Sequence, residues 1–187
     1  MCRSLVAASA IALFLSGLSG AQAQTAGTQH RPKTDAELIA SAVSAAPPAI
    51  SRDATIIGME GDKVRTLRQG KGDFTCVPDD PSSPGNDPMC LDRNAMEWLH
   101  AWMEHKDAPK GKMGLVYMLQ GGSDASNDDP FATAPPQGKK WVTTGPHVMV
   151  VGMAGMLDDV PRTADAPTRP FVMWGGSSYE HIMMPVK

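Results

Sequence analysis

Two cysteines at the ends of a proline-rich loop constrain the fold of this chain more than any other feature of its sequence. Cys76 and Cys90 bracket a segment of thirteen residues that contains four prolines and shows no apolar periodicity. Such a loop would be mobile unless its ends were tied together. A disulfide would close it and, in the chain-entropy model, stabilise the fold by roughly 3 kcal/mol. The alternative, a pair of thiolate metal ligands, lacks the C-x-x-C spacing typical of such sites.

The N-terminus has the three parts of a cleavable secretory signal peptide. Arg3 is the only charged residue in 1–23, an apolar stretch occupies 5–15, and the small-residue triplet Ala-Gln-Ala follows at 21–23. The apolar stretch is shorter than the roughly 20 residues of a membrane-spanning helix, so a retained anchor is the less favoured interpretation. We therefore expect export to the periplasm or the medium, an oxidising setting in which the two cysteines would pair.

Charge and length narrow the classes of protein that fit. Without residues 1–23 the chain keeps 16 basic and 20 acidic residues, a net charge of −4. A mildly acidic chain has no electrostatic attraction to nucleic acid or to an anionic membrane surface, so we expect neither as a partner. The remaining length suits one domain. The predicted organisation is a signal peptide at 1–23, a flexible segment at 24–33 and a single domain at 34–187.

Two helices are predicted in the first half of that domain. Thr34 and Glu37 have the spacing of a capping box, which predicts a helix from about Asp35 to Ala46, stopped by the prolines at 47–48. A second helix is predicted from an N-cap at Asp92 to about Lys106. Its apolar residues recur at helical spacing and form one stripe. The stripe consists of Ala95, Trp98, Leu99, Trp102 and Met103.

Short apolar runs separated by glycine, proline and aspartate predict strands elsewhere. A hairpin is predicted from 54–59 and 63–69 with a turn at 61–62, followed by a short strand at 74–76. Further strands are predicted at 113–119, 141–144, 147–153, 171–174 and 181–186, with a short helical turn at 154–159. Helices early and strands late indicate an α+β fold with a mostly antiparallel sheet and about two main helices.

The most specific internal pattern is a repeated His-x-Met. His147 with Met149, and His181 with Met183, each begin an apolar run, so the two-residue period of a strand places each pair on one face. If the strands are neighbours, two imidazoles and two thioethers could converge on a soft metal such as Cu(I). The alternative is that the methionines fill gaps in the core and the histidines are satisfied by hydrogen bonds.

A polar loop at 120–130 provides a second candidate site. Asp124, Ser126 and Asp128 resemble the opening of a calcium loop, but the glycine and the glutamate that an EF-hand requires are missing. A turn whose side chains bond their own backbone is the alternative. For a hydrolase, Ser123 or Ser126 would act with His147 and an aspartate, although no standard hydrolase motif is present.

A third cluster lies on the second predicted helix. Glu97, His100 and Glu104 share one face of it, which could present ligands or an acid–base pair. A solvated helix face is the favoured interpretation, because the cluster lies away from the tryptophan stripe.

Five longer strings of the sequence are FTCVP at 74–78, GNDPMCLD at 85–92, YMLQGGSDAS at 117–126, GPHVM at 145–149 and YEHIM at 179–183. Together they resemble a family of bacterial secreted or periplasmic proteins with no established activity. The resemblance covers most of the mature chain and implies a single exported domain. It implies no catalytic residue.

Three functional hypotheses follow. The first is a binding protein for a copper-like metal or a small ligand, using His147, Met149, His181 and Met183. The second is a hydrolase-like enzyme acting on a small polar substrate where the loop at 120–130 meets His147 or His181. The third is a structural or interaction protein, for which an exposed apolar patch is expected.

Overall fold

The computed structural model describes residues 34–60, 63–162 and 168–186, with only the backbone described at Glu60. The predicted signal peptide, the segment at 24–33 and the hairpin turn at 61–62 lie outside the described residues. No helix within these ranges is long and apolar enough to cross a membrane.

The first helix, α1, spans Asp35–Val43 and has the predicted capping box. The backbone N–H of Glu37 donates to the Thr34 hydroxyl at 3.3 Å, and the Glu37 carboxylate accepts from the Thr34 backbone N–H at 2.7 Å. The helix ends three residues before the predicted Ala46. A one-turn helix, α2, then begins at Pro48 and spans Pro48–Ser51. Proline suits that first position, where its missing N–H costs no helical hydrogen bond.

The second main helix, α3, spans Arg93–Met103 and begins at the predicted N-cap. The carboxylate of Asp92 accepts from the backbone N–H of Ala95 at 2.8 Å and from that of Leu115 at 3.0 Å. The same side chain therefore caps the helix and ties it to a strand. The helix ends three residues before the predicted Lys106, with Glu104 as its C-cap.

Ten strands are present in the described ranges. They are β1 (Thr55–Glu60), β2 (Lys63–Arg68), β3 (Thr75–Val77), β4 (Met89–Leu91), β5 (Gly114–Met118), β6 (Gly122–Asp124), β7 (Val142–Thr144), β8 (His147–Val151), β9 (Phe171–Met173) and β10 (His181–Pro185). The predicted strands are confirmed within a few residues, whereas β4 and β6 were not expected. Residues 154–159 form turns rather than the predicted helical turn.

Eight of these strands form one sheet in the order β2-β1-β3-β4-β5-β8-β10-β9, and β6 pairs with β7 separately. Only the β1–β3 pair of the large sheet is parallel. With the helices on its faces, this sheet confirms the α+β class and its mostly antiparallel character.

Two apolar clusters lie on opposite faces of the sheet. Leu91 and Val116 belong to the cluster that includes Ala95 and Trp98 of α3, whereas Cys90 packs in the cluster that includes α1. Neighbouring residues of a strand point to opposite faces, which separates the two clusters. Helix α3 approaches the sheet closely at Gly114, where an added Cβ would lie 2.4 Å from the backbone nitrogen of Ala95.

The predicted cysteine pair is confirmed. Cys76 and Cys90 lie directly opposite each other in the β3–β4 ladder and are joined by a disulfide. Both are fully buried. The proline loop at 78–88 is thus anchored at both ends to the middle of the sheet, which fixes where the loop leaves and re-enters the fold.

Candidate functional site

The two His-x-Met segments lie on neighbouring antiparallel strands, β8 and β10. Met149 pairs directly with Met183, and His147 pairs with Pro185. The same register places His181 across from Val151. His147, Met149, His181 and Met183 are buried and alternate with half-buried residues along each strand, and both methionines pack in the cluster that contains Trp98 of α3.

The register therefore brings the methionines together and keeps the histidines apart. His147 and His181 lie at opposite ends of the paired segment, four residues apart along the ladder. At the ordinary rise of a strand this is about 13 Å between their backbone positions. The methionine pair lies between them, and the charge of His147 still contributes to lowering the pKa of His181.

Both imidazoles are held in the same way. The Nδ1 of His147 lies 2.7 Å from the carbonyl oxygen of Gly145, and the Nδ1 of His181 lies 2.9 Å from that of Tyr179. Because a carbonyl can only accept, the neutral ring carries its hydrogen on Nδ1 and leaves a lone pair on Nε2. Each Nε2 is buried without a hydrogen-bond partner among the described residues. Such a buried lone pair needs an explanation.

His147 lies beside Gly122, the first residue of β6. A Cβ at Gly122 would lie 3.4 Å from Cε1 of His147 and 3.9 Å from Cβ of Asp87. Gly122 also pairs with Thr144 across the β6–β7 ladder. We call Asp87, Asp124, Thr144 and His147 the Gly122 cluster.

Asp87 enters this cluster from the disulfide-closed loop. Its Oδ2 accepts a hydrogen bond from the Ser83 hydroxyl, and its backbone N–H donates to the carboxylate of Asp79 at 3.1 Å. Its Oδ1 is buried with no partner in the described part of the chain. Burial raises the pKa of the Asp87 carboxyl, the hydrogen bond from Ser83 opposes this, and the negative charge of Asp79 adds to it.

Asp124 is the group of the cluster whose protonation is most strongly altered. Burial, and then the negative charge of Asp87, raise the pKa of its carboxyl to about 7. Two carboxyl groups that share a poorly solvated region resist ionising together. Burial lowers the pKa of His147, although its hydrogen bond to Gly145 opposes the change. Near neutral pH the cluster therefore contains a neutral imidazole and a carboxyl that is close to half protonated.

Thr144 completes the cluster. It is 2% exposed, and its hydroxyl oxygen is buried without a partner within the ranges described. With Oδ1 of Asp87 and Nε2 of His147, three unpartnered polar atoms belong to residues around one glycine. In folded proteins such groups are nearly always paired with protein, water or a ligand.

The proline loop covers this region through one close approach. The backbone N–H of Gly85 donates to the Ser123 hydroxyl at 3.0 Å. A Cβ at position 85 would lie 2.6 Å from that hydroxyl oxygen. The approach therefore requires a residue without a side chain, and it leaves the Ser123 hydroxyl engaged with the loop.

His181 has aromatic rather than polar surroundings. Its ring centroid lies 5.5 Å from that of Trp98 and 5.0 Å from that of Trp174, both edge to face. The two indoles stack on each other at 5.8 Å. Trp174 adopts a left-handed backbone with φ of 54°, and its Nε1–H donates to the carbonyl of Ser126 at 3.0 Å. Burial lowers the pKa of His181 to about 4.

The other residues predicted for the polar loop have local roles. The hydroxyl of Ser126 accepts from the backbone N–H groups of Asp128 and Asp129 at 3.1 and 3.0 Å. This is the turn-forming arrangement given above as the alternative to a ligand site. Of Asp124, Ser126 and Asp128, Asp124 is the one that the structure places in the Gly122 cluster.

The predicted cluster on α3 is engaged in surface ion pairs. Glu97 pairs with Lys112 at 2.5 Å and Glu104 with Lys106 at 2.8 Å. Among the described residues, no group of three or more histidine, cysteine, aspartate or glutamate side chains is placed to hold a metal ion.

Asp87, Thr144 and Gly122 were missed by sequence reasoning. Asp87 lies 35 positions from Gly122 in a loop that carried no motif, and Thr144 is 22 positions away. The available signal was the cysteine pair, because a disulfide at the ends of 77–89 had to bring that loop onto the sheet.

Comparison with known protein families, with curated proteins and with solved structures found no match. Functional inference therefore depends on the geometry of the site.

Proposed function

We propose that the Gly122 cluster is the active site of a hydrolase-like enzyme that transfers protons to and from a small polar substrate. The observation that supports this is a set of three buried polar atoms, without partners among the described residues, on side chains around one glycine. They are Oδ1 of Asp87, Oγ1 of Thr144 and Nε2 of His147. A substrate or water bound there would satisfy them.

In this proposal His147 is the general base. Its Nε2 holds a lone pair, and its Nδ1–H is fixed on the carbonyl of Gly145, which orients the ring and stabilises the imidazolium formed when Nε2 takes a proton. A buried imidazole with a lowered pKa stays neutral at the pH of most compartments, so it is ready to accept.

Asp124 is the complementary acid. With a pKa of about 7 its carboxyl is partly protonated near neutrality and can deliver a proton to a leaving group. Asp87 acts on it through charge, since its carboxylate raises the pKa of Asp124. Two titratable groups whose surroundings shift their pKa values differently are the usual arrangement for an acid and a base in one site.

The cluster offers mainly hydrogen-bond acceptors. A carboxylate oxygen and an imidazole lone pair bind groups that donate, such as ammonium, amide N–H or hydroxyl. A free phosphate or carboxylate would instead meet the negative charge of Asp87 and the partly ionised carboxyl of Asp124. We therefore propose that the substrate is a neutral or cationic molecule rich in donors.

Export is part of the same proposal. The disulfide is compatible with an oxidising compartment. Together with the sequence of residues 1–23, it supports secretion or a periplasmic location, where small amides, esters and glycosides are accessible.

A panel of nitrophenyl esters, nitroanilides and nitrophenyl glycosides, each in a cationic or neutral form and a matched anionic form, tests the proposal. We expect turnover of a cationic or neutral member, reduced by ~10²–10⁴-fold in His147→Gln and in Asp124→Asn. Asp128→Asn is the matched control, since it makes the same change in the same loop outside the cluster, and it should keep full activity.

Turnover that persists in His147→Gln would contradict the proposed base. An absence of turnover across the whole panel, or a clear preference for the anionic members, would contradict the proposed chemistry and substrate class.

A further inference from the structure

A second group of side chains with ligand chemistry lies on the same face of the sheet, away from Gly122. Met149 and Met183 are paired directly across β8 and β10, and both are buried. His181 lies two residues before Met183 on the same face, with its Nε2 buried and unpartnered within the described ranges. Two thioethers and one imidazole lone pair are thus adjacent inside the core.

We propose that Met149, Met183 and His181 form a binding site for one soft monovalent metal ion, Cu(I) or Ag(I). The inference is independent of the function proposed for the Gly122 cluster. Thioether sulfur and imidazole nitrogen are ligands that suit Cu(I), and they carry no charge of their own. A monovalent ion therefore adds one charge to the core, which is less costly to bury than a divalent one.

The register places the three donors within reach of a single point. Directly opposed residues in an antiparallel pair have Cβ atoms about 4.5–5.5 Å apart, and residues two apart on one strand lie roughly 7 Å apart. Methionine has three rotatable bonds, which allows both sulfur atoms to turn toward the imidazole. His147 lies on the other side of the methionine pair, at the Gly122 cluster, and is not needed for the site.

The hydrogen bond and the aromatic packing around His181 are typical of a metal-binding histidine. Its Nδ1–H is held by the carbonyl of Tyr179 at 2.9 Å, which fixes the ring and directs the lone pair of Nε2 away from that carbonyl. The indoles of Trp98 and Trp174 lie 5.5 and 5.0 Å from the ring and enclose it. Aromatic faces near a bound cation also stabilise its charge.

A buried water molecule is the competing explanation for the unpartnered nitrogen. Nε1 of Trp98 is also buried without a partner in the described part of the chain. A water between Trp98 and His181 would accept from the indole and donate to Nε2. In that case the methionine sulfur atoms would play no part, and this difference makes the two explanations separable.

The test is a titration of the purified protein with Ag(I) in chloride-free buffer, followed by tryptophan fluorescence and native mass spectrometry. Ag(I) is used because it shares the ligand preference of Cu(I) without its oxidation chemistry. We expect one equivalent to bind and to change the emission of Trp98 and Trp174. Affinity should fall at least tenfold in Met149→Leu, in Met183→Leu and in His181→Gln.

Matched controls separate this site from general thiophilic binding. Met59→Leu and Met156→Leu replace exposed methionines in the same way as the two core variants. His147→Gln makes the His181→Gln change at the other buried histidine. All three should keep the affinity of the parent protein. Circular dichroism and a thermal melt of each core variant show whether it is still folded, so that a loss of affinity can be attributed to the missing ligand.

Three results would overturn the inference. They are failure to bind one equivalent, retention of affinity in the Met149→Leu/Met183→Leu double variant, and an equal loss in His147→Gln. The first would assign the unpartnered nitrogen of His181 to buried water, and the second would mean that the ion binds without these two thioethers.

Discussion

His147 and His181 occupy equivalent positions in two neighbouring antiparallel strands. Each is the first residue of its strand, and each gives its Nδ1 hydrogen to the carbonyl two residues earlier. Yet one ring adjoins Gly122, and the other is enclosed by indoles. The strands supply the same local geometry, while the elements that cover them decide the chemistry.

The buried imidazole of His181 should weaken the fold in acid. Its pKa is lowered to about 4 in the native state, against about 6.5 in the unfolded chain, so below pH 6.5 the unfolded state binds more protons. The contribution of the neutral His181 ring to stability is fully present above pH 6.5 and is lost as the pH falls to about 4. The stability of the parent relative to His181→Leu should fall by roughly 3 kcal/mol over this window.

Urea unfolding at several pH values measures that difference. The other titratable groups, including His147, whose charge also lowers the pKa of His181, are common to both proteins and largely cancel. A native His181 ring resonance that titrates near pH 6.5 would contradict the prediction.

The carboxyl of Asp124 should make the stability of the fold depend on pH in the opposite direction. Its native pKa of about 7 lies above the ordinary value of 3.8, so between these values the native state holds a proton that the unfolded state has lost. The resulting stability is present below about pH 4 and is lost as the pH rises to about 7. Between pH 4 and pH 8 the free energy of unfolding of Asp124→Asn should therefore rise by roughly 4 kcal/mol relative to that of the parent.

The Asp87→Asn variant tests whether the charge of Asp87 raises the pKa of Asp124. Removing the charge of Asp87 should lower the pKa of Asp124, which a ¹³C titration of its carboxyl carbon records. A carbon that titrates near pH 4 in the parent protein would disprove the coupling.

Gly114 should tolerate no side chain. A Cβ there would lie 2.4 Å from the nitrogen and 2.9 Å from the Cα of Ala95, and both are backbone atoms of α3. Gly114→Ala should therefore cost at least the ~1–3 kcal/mol of an overpacked core. Gly145→Ala is the matched control, because an added Cβ meets nothing within 4 Å there. Equal denaturation midpoints for the two variants would mean that α3 can move away from the sheet at little cost.

The disulfide should hold Asp87 in place as well as stabilise the fold. Replacing Cys76 and Cys90 together by alanine should cost roughly 3 kcal/mol and speed amide exchange in the loop at 78–88. Treating the parent protein with a reductant should reproduce both effects. If the amides of 78–88 exchange at unchanged rates in the double variant, the contacts of Asp87 and Gly85 are sufficient to order the loop.

The sequence was most informative where a single local interaction decides the structure. The capping box of Thr34 and Glu37 and the N-cap at Asp92 were predictable because each depends on residues three positions apart. Helix ends were less predictable. Helix α1 stops at Val43 before the prolines, because Ser44 already caps it and α2 begins at Pro48.

The short strands β4 and β6 have no periodicity of their own. Three residues cannot display an alternating pattern, and they become strands only because a partner is present. Asp87 entered the candidate site for a similar reason, since its position depends on where the disulfide-closed loop crosses the sheet.

By itself, the sequence determined the fold class, the cysteine pair and the fact that each His-x-Met shares one face of a strand. These follow from spacing, which local geometry converts directly into structure. The tertiary structure alone decided which strands are neighbours and in which register. That register paired Met149 with Met183 and separated the two histidines, while the disulfide-closed loop brought Asp87 beside Gly122. Contacts between distant segments such as these depend on how the whole core packs.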